Sequence, residues 1–331
     1  MRKVLFLITL LMIFLVACEE QDIMPDWEKP IAEGITIYDH GDIMSITKFE
    51  GNIYASGRDG VYMVDSFGES HVLFEEYNMS YVRSIYGSDR LYIATDIGLY
   101  IYDGVDMLFY NSENSTLPDN RINVIFEDRV GDIWIGTWGG VTNLSKNITY
   151  TSEDGLWVDN VSVIAQSFEE TLWFGSYAVR NGGVTLSKDA SYNYFTLENG
   201  LTHENITAIL CDNDTVYVGS GLLNRGGLDI LKLFENNWVL YDTILYEGGL
   251  LAGEKVRSLS LDDNMLWIGS EYDGLAILNL EKNKSVILKL SLPHPEIKVI
   301  YPDGDDIWLG TLDGLGKLSQ NEVAKIYSQL K

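Results

Sequence analysis

The chain has 331 residues, with 49 acidic and 23 basic side chains and a formal net charge of −26. Such a charge repels the phosphate backbone of nucleic acids and anionic lipid headgroups, so we expect no nucleic-acid partner. Hydrophobic residues make up 46% of the chain and only 6 residues are proline, which excludes a long disordered linker and allows a continuous core.

The first 18 residues have the layout of an export signal. Two basic residues precede an apolar run over residues 4–17, which is short for a membrane-spanning helix. The segment LVAC that ends at Cys18 resembles the lipobox of bacterial lipoproteins, in which the cysteine is lipidated after cleavage. The resemblance implies a signal peptide over residues 1–17 and a lipidated tether over residues 18–33. We therefore expect a cell-envelope protein, either periplasmic or surface-exposed, that is anchored to a membrane through its N-terminal lipid.

After this segment the chain repeats a strand-like unit seven times. Each unit has the form apolar–aromatic–apolar–small–small, is followed by one or two glycines, and recurs after 38 to 50 residues. The seven aromatic positions are Tyr54, Tyr92, Trp134, Trp173, Tyr217, Trp267 and Trp308. A period near 40 residues with strand-like content indicates propeller blades or solenoid turns. We expect the repeated aromatic side chains to pack between repeats and not to contact a ligand.

Three further runs accompany each unit. A β-branched run such as INVI (residues 122–125) precedes it, and its short length favours a strand that is buried on both faces. Two more runs follow the glycines, which makes four strands per repeat. The sequence thus predicts an all-β fold over residues 34–331: a seven-bladed β-propeller with four antiparallel strands per blade. Residues 34–42 and residues 322–328 compete to complete the seventh blade, and the pattern does not decide between them.

The third repeat is similar to the two-component regulator propeller repeat. The resemblance rests on NRI at residues 120–122, ED at residues 127–128 and GDIWIGT with paired glycines at residues 131–140, and it extends to all seven units. It implies an extracytoplasmic input module that senses ligands, often glycan fragments. The Ig-like domain, transmembrane helix and kinase that usually follow such propellers do not occur in this sequence, so only a binding or scaffolding role carries over.

Candidate ligand contacts lie in the loops that surround one end of the propeller channel. Loops between the second and third strands share this face with the links between blades, and those of blades 4 and 5 are the longest. Planar Arg donors, Asn amides and flat aromatic rings together suit a sugar, a carboxylate or a peptide. The alternative is that the arginines form surface salt bridges. The candidate ligand-binding residues are Trp138, Trp157, Tyr177, Arg180, Asn181, Asn224, Arg225 and Tyr272.

Three carboxylates occupy equivalent positions just before an innermost strand, namely Asp159, Glu204 and Glu254. Equivalent positions in a ring converge on its axis, so we expect these side chains near the channel mouth. There they could accept hydrogen bonds from sugar hydroxyls or hold a cation with oxygen ligands. The alternative is that they are hydrated turn residues. We predict no metal and no cofactor.

The sequence supports three hypotheses on function. It contains no metalloprotease motif, nucleophile elbow, phosphate loop or cysteine cluster, so the first hypothesis is a non-enzymatic, sensor-like module that binds a small glycan or a protein. The second is a propeller lyase or hydrolase that acts on a polysaccharide or peptide with the axial carboxylates and His203. The third is a structural subunit of a cell-envelope complex. Cys211 lies in an apolar run and is predicted to be a buried thiol.

Overall fold

The computed structural model describes residues 34–330 except 78, 179, 223, 224 and 289. The predicted signal peptide, the lipidation site Cys18, the tether and Asn224 therefore lie outside the described residues. Within the described ranges, no helix is long and apolar enough to cross a membrane.

The described strands form seven antiparallel four-stranded sheets, which confirms the predicted seven-bladed propeller. Blade 1 contains β2 (Ile43–Phe49), β3 (Asn52–Gly57), β4 (Gly60–Val64) and β5 (Ser70–Leu73). Blade 2 contains β6 (Ser84–Gly87), β7 (Leu91–Ala94), β8 (Leu99–Tyr102) and β9 (Met107–Tyr110). Blade 3 contains β10 (Ile122–Glu127), β11 (Ile133–Thr137), β12 (Gly140–Asn143) and β13 (Ile148–Tyr150). Blade 4 contains β14 (Val161–Gln166), β15 (Leu172–Ser176), β16 (Val184–Lys188) and β17 (Ser191–Phe195).

The remaining three blades follow the same order. Blade 5 contains β18 (Ile206–Asp212), β19 (Thr215–Gly221), β20 (Gly226–Phe234) and β21 (Asn237–Ile244). Blade 6 contains β22 (Val256–Asp262), β23 (Met265–Ser270), β24 (Leu275–Asn279) and β25 (Lys284–Leu288). Blade 7 contains β26 (Ile297–Asp303), β27 (Asp306–Thr311), β28 (Gly314–Leu318) and the N-terminal strand β1 (Ile35–Tyr38). Short 3-10 segments occur at Glu75–Tyr77, Leu197–Asn199 and Tyr246–Gly248.

The N-terminal strand closes the ring. Strand β1 pairs antiparallel with β28, from Ile35 opposite Leu318 to Tyr38 opposite Leu315. Each innermost strand contacts the innermost strand of the next blade, and β26 contacts β2. The seventh blade therefore combines three strands from the end of the chain with one strand from its beginning.

The competing C-terminal segment is a helix, α1 (Gln320–Gln329). Its buried apolar residues Val323, Ile326 and Leu330 recur at helical spacing and join the core between blades 6 and 7. The Tyr327 hydroxyl accepts a hydrogen bond of 2.9 Å from the indole nitrogen of Trp267, which anchors the helix to blade 6. A spacing of three to four residues explains why this segment is not a strand.

The small residues and glycines of the repeat serve the turn between the second and third strands. In blade 3 the Thr137 hydroxyl donates to the Gly140 carbonyl at 2.9 Å and accepts from the Gly139 amide at 3.1 Å. Gly140 has a φ of 138°, and a Cβ there would lie 2.6 Å from the Tyr150 carbonyl oxygen. The turn therefore requires glycine at this position.

The core lies between the blades. Trp173 and Trp267 are fully buried, and each of the other five repeated aromatic side chains is less than a tenth exposed. One cluster joins Trp308 and Leu315 of blade 7 to Ile43 and Ile53 of blade 1. The repeated aromatics thus hold neighbouring blades together, as the sequence predicted.

Candidate functional site

The two faces of the ring differ in which loops they carry. Ile43 at the start of β2 pairs with Gly57 at the end of β3, so the links between blades and the loops between second and third strands share one face. We call it the upper face. The lower face carries the other two kinds of loop. Strand β28 begins with Gly314 at the upper face and ends with Leu318 at the lower face. Ile35 at the start of β1 pairs with Leu318, so the chain enters the propeller at the lower face.

A cavity of about 630 Å³ occupies the channel below the upper face. All seven innermost strands line it, together with two residues from the loops of blades 3 and 4, Trp138 and Tyr177. Two of the predicted ligand contacts are thereby brought to the same opening. A cavity of this size fits a small ligand.

The second residue of each innermost run lines the channel. These residues are Met44, Arg83, Asn123, Ser162, Thr207, Arg257 and Lys298. In six blades the strand register shifts at this residue, so that it forms a β-bulge without a partner on the adjacent strand. A bulge redirects a side chain away from the regular pleat, here towards the channel.

The prediction that the innermost strands are buried on both faces is wrong at these positions. In β14 and β10, for example, the second and third residues are only partly buried because they face the cavity. We call the seven second residues, from Met44 to Lys298, the channel ring. Sequence reasoning did not predict that they line the channel. The available signal was that the second residue of the run is polar in six of the seven repeats.

Trp138 is held at the rim by a chain of contacts. Its indole nitrogen donates to the Asn123 side-chain oxygen at 3.0 Å, and the Arg121 guanidinium lies 4.4 Å from the ring centroid. Arg121 is fixed in turn by two hydrogen bonds to Asp119, of 3.0 and 2.6 Å. The Asn123 amide also donates to the Asn160 side-chain oxygen at 2.9 Å. The indole is 40% exposed, so an oriented aromatic edge faces the opening.

Tyr177 lies beside this group and is 41% exposed. Its backbone amide donates to the Asn160 carbonyl at 3.1 Å, which ties the blade 4 loop to the preceding link. Arg180 and Asn181 in the same loop are exposed and lie outside the described lining of the cavity. Arg225 is also exposed, in a tight turn where its carbonyl accepts from the Leu222 amide at 2.9 Å.

Two further candidates occupy separate places on the upper face. Trp157 packs against Tyr194, with ring centroids 5.2 Å apart, and is not among the described residues that line the cavity. Tyr272 is 62% exposed and lines a smaller depression of about 270 Å³ together with Glu254 and Lys255. The negative charges of Glu271 and Glu296 raise the pKa of Tyr272.

The three equivalent carboxylates are placed apart from the cavity. Asp159 accepts a hydrogen bond of 2.6 Å from the Ser152 amide, and Glu254 belongs to the Tyr272 depression. Glu204 is partly buried. None of them is among the described lining residues. The described ranges also contain no group of three or more His, Cys, Asp or Glu side chains that could hold a metal ion.

His203 stabilises the turn that leads into β18. Its Nδ1 accepts a hydrogen bond of 2.9 Å from the Asn205 amide, and His294 makes the same bond to the Glu296 amide at 3.0 Å. A neutral imidazole that accepts a hydrogen bond at Nδ1 carries its proton on Nε2. Its Nε2 can therefore donate a hydrogen bond to a substrate but cannot act as a general base. Burial lowers the pKa of His203, against the opposing effect of Glu204.

Ion pairs fix the basic residues of the channel. Lys298 binds Asp42 at 2.6 Å, and both side chains are less than a tenth exposed. Glu296 lies 4.0 Å from Lys298 and 3.7 Å from Arg257. The Arg83 guanidinium contacts the Asp96 carboxylate, and burial lowers the pKa of Arg83. Since Asp42 and Lys298 belong to blades 1 and 7, their pair also spans the junction where the ring closes.

One family model matches part of the chain. Residues 116–139, from the link before blade 3 to the turn between β11 and β12, match the two component regulator propeller. This segment includes all but the last of the residues on which the sequence resemblance was based. No curated protein matches the chain.

Solved structures share the fold at low sequence identity. The extracellular domain assigned to a hybrid two component system of B. thetaiotaomicron superposes with a TM-score of 0.70 at 18% identity, over 87% of this chain and 43% of that one. Virginiamycin B lyase from Staphylococcus aureus gives a TM-score of 0.63 at 13% identity, over 86% and 99%.

PorZ, a surface component of the type-IX secretion system of Porphyromonas gingivalis, gives a TM-score of 0.62 at 15% identity, over 85% and 47%. The chain thus spans less than half the length of the B. thetaiotaomicron domain and of PorZ. At these identities the likeness shows the fold alone. The chain is a seven-bladed β-propeller in which residues 116–139 match the two component regulator propeller.

Proposed function

We propose that the protein is a non-enzymatic, sensor-like module that binds a small ligand in its channel. The observation that carries the proposal is the cavity of about 630 Å³, which all seven blades line and two oriented aromatic side chains border. Concave sites with a few placed polar groups are the usual form of a small-molecule site. The propeller domains of two-component systems to which the chain is similar support an input role.

The chemistry of the opening favours a glycan fragment. Trp138 and Tyr177 offer flat apolar surfaces, and the channel ring supplies hydroxyl, amide and guanidinium groups. Arg180, Asn181 and Arg225 would extend the contacts for a longer glycan or a protein ligand, and Asn224 remains a candidate from the sequence. Trp157 and Tyr272 are proposed as more distant contacts on the same face.

The entry of the chain at the lower face supports a defined orientation in the cell envelope. Ile35 begins β1 at the lower face, so an anchor that precedes it in the sequence would join the propeller on the face opposite to the channel opening. A ligand would then reach the opening without passing the lipid surface. This orientation suits an anchored binding protein on either the periplasmic or the cell-surface side.

An enzymatic role is the weaker alternative. A lyase shares the fold, but the Nδ1 atom of His203 is engaged by the backbone and the three equivalent carboxylates lie outside the cavity lining. A role as a structural subunit would be consistent with the fold of PorZ and would place the contacts elsewhere on the ring.

A thermal-shift screen with variants tests the proposal. The wild-type protein is screened against glycan fragments and peptides, since a ligand present at about 100 times its Kd stabilises the native state by about 2.7 kcal/mol. We expect Trp138→Ala and Tyr177→Ala to abolish the shift. Tyr241→Ala, which removes an exposed tyrosine from the outer strand β21, should leave it unchanged.

Two outcomes would contradict the proposal. One is a shift that survives both rim substitutions, which would move the site away from the channel. The other is the absence of binding by every compound together with measurable turnover that His203→Ala removes, which would favour the enzyme.

A further inference from the structure

The charged side chains that line the channel are basic, although the protein as a whole is acidic. The chain has 49 acidic and 23 basic residues, yet the described residues that line the cavity include Arg83, Arg257 and Lys298 and no Asp or Glu. In a protein so rich in carboxylates, the average surface composition would place Asp or Glu in a lining of this size. The restriction of the charged lining residues to Arg and Lys is therefore best explained by the chemistry of the ligand.

The basic residues are gathered on one side of the ring. Arg257, Lys298 and Arg83 come from blades 6, 7 and 2, and the uncharged Met44 of blade 1 lies between them in ring order. We call this side the basic sector. The opposite side carries Asn123, Ser162 and Thr207 from blades 3, 4 and 5, in the part of the ring that Trp138 and Tyr177 border.

The basic sector keeps donors free for a ligand. Asp42 and Glu296 are 6% and 7% exposed, so they are closed to solvent, whereas Asp96, which pairs with Arg83, is 37% exposed. The side chains of Arg257 and Arg83 are 30% and 28% exposed. Arg257 contacts Glu296 only at 3.7 Å through its Nε, which is buried and has no hydrogen-bond partner among the described residues, so the terminal nitrogens of its guanidinium are the ones that a ligand would bind. Its guanidinium fork is therefore held in place without being saturated.

The neutral side offers acceptors. Ser162 donates its hydroxyl hydrogen to the Ile206 carbonyl at 2.8 Å, and Thr207 donates to the Val256 carbonyl, so both oxygens keep lone pairs that can accept a hydrogen bond. Asn123 uses its amide hydrogens on Asn160 and Val161, and its oxygen already accepts one hydrogen bond from the Trp138 indole. This side therefore suits hydroxyl donors or the apolar face of a ring, and not a second anion.

We propose that the channel binds an anionic ligand, with its carboxylate or sulfate group against the basic sector and its neutral part below Trp138 and Tyr177. This inference rests on the proposed function, because it names the class of ligand for the same site. Arg257 would make the direct hydrogen bonds, together with the guanidinium nitrogens of Arg83 that Asp96 leaves free. Lys298 would contribute mainly its charge, since it is 8% exposed.

A matched pair of probes tests the charge. Trigalacturonate and its fully methylated ester have the same sugar ring and differ in their negative charge, and inorganic sulfate at constant ionic strength tests the second anion. We expect the acid to bind at least tenfold more tightly than the ester, measured by isothermal titration. Arg257→Gln and Arg83→Gln should each remove most of this difference, whereas Arg257→Lys should retain part of it.

Arg90→Gln is the matched control, because Arg90 is an exposed arginine between β6 and β7 on the lower face. Unliganded melting temperatures check that each variant is folded. If the protein binds sulfate but not trigalacturonate, and Arg257→Gln loses the binding of sulfate, the charge assignment is supported and a sulfate is the group recognised.

Three results would overturn the inference. The first is that trigalacturonate and its methyl ester bind with equal measurable affinity. The second is that neither trigalacturonate nor sulfate binds. The third is that Arg90→Gln and Arg257→Gln lose the same amount of affinity for the anion. If in any of these cases a neutral compound still binds through Trp138 and Tyr177, the proposed function stands and only the ligand class is wrong. If no compound binds through these residues, the proposed function fails as well.

Discussion

The buried ion pair at the ring closure gives a quantitative prediction. Asp42 of blade 1 and Lys298 of blade 7 are 2.6 Å apart and less than a tenth exposed. With an effective dielectric constant of about 20, two unit charges at this distance attract by about 6 kcal/mol, from which the cost of desolvating both must be subtracted. Breaking such a pair by removing one partner typically costs about 3–5 kcal/mol, because the other charge stays buried without compensation.

The two single substitutions should not be equivalent. Lys298→Met leaves Asp42 buried with one carboxylate oxygen already lacking a partner, so we expect a loss of about 3–5 kcal/mol. Asp42→Asn should cost less, because Lys298 retains Glu296 at 4.0 Å. The double variant should recover part of the loss, since neither charge remains.

An exposed pair between the same two blades provides the control. Lys48 and Asp303 are 2.7 Å apart, with side chains 45% and 26% exposed. Lys48→Met should therefore cost about 0–1 kcal/mol. Comparing it with Lys298→Met isolates burial, because the blades joined and the charge separation are nearly the same.

Chemical denaturation gives the free energies, and calorimetry gives the melting temperatures. For a domain of roughly 300 residues, a loss of 3–5 kcal/mol lowers the melting temperature by about 5–8 °C. The argument would be refuted if Lys298→Met and Lys48→Met cost the same. It would also be refuted if Asp42→Asn were the more damaging of the two changes at the buried pair.

Three further predictions concern the turns and two partly buried titratable groups, of which Cys211 was predicted to be fully buried. Gly140→Ala should destabilise the protein by about 2 kcal/mol or more, because a Cβ would lie 2.6 Å from the Tyr150 carbonyl oxygen in a backbone conformation with a φ of 138°. Gly51→Ala is the control, because Gly51 has a φ of 82° but a Cβ there would meet nothing within 4 Å. The difference between the two variants in denaturation curves separates the clash from the backbone strain. The pKa of His203 is lowered by burial, so the folded state binds fewer protons than the unfolded state below about pH 6.5, and the unfolding free energy should fall as the pH decreases through that window. His203→Gln should reduce this slope in pH-dependent denaturation, and an unchanged slope would contradict the assignment. Burial raises the pKa of Cys211 to about 12, so iodoacetamide should leave this thiol unmodified at neutral pH in the native protein. After unfolding, the thiol should be alkylated, which mass spectrometry would detect. Rapid labelling of the native protein would show that the thiol is accessible and reactive.

Two aromatic residues at the rim of the candidate site followed from loop position, but the centre of the site did not. The assignment of Trp138 and Tyr177 to one face needed only the alternation of strand direction. Trp157 shares that face, yet it packs on Tyr194 instead of lining the cavity, and the sequence pattern does not distinguish it from Trp138. The channel ring escaped detection because a bulge turns residues such as Arg257 towards the axis, and a short β-branched run does not specify a bulge.

The sequence alone determined the number of blades, the order of strands within them and the burial of the repeated aromatic side chains, because these follow from local periodicity and turn chemistry repeated seven times. The tertiary structure decided which end of the chain closes the ring, since β1 finds its partner β28 almost 300 residues away while residues 320–329 satisfy their own backbone as a helix. It also decided the charge of the channel. Arg83, Arg257 and Lys298 are far apart in sequence, and only closure of the ring brings them around one cavity.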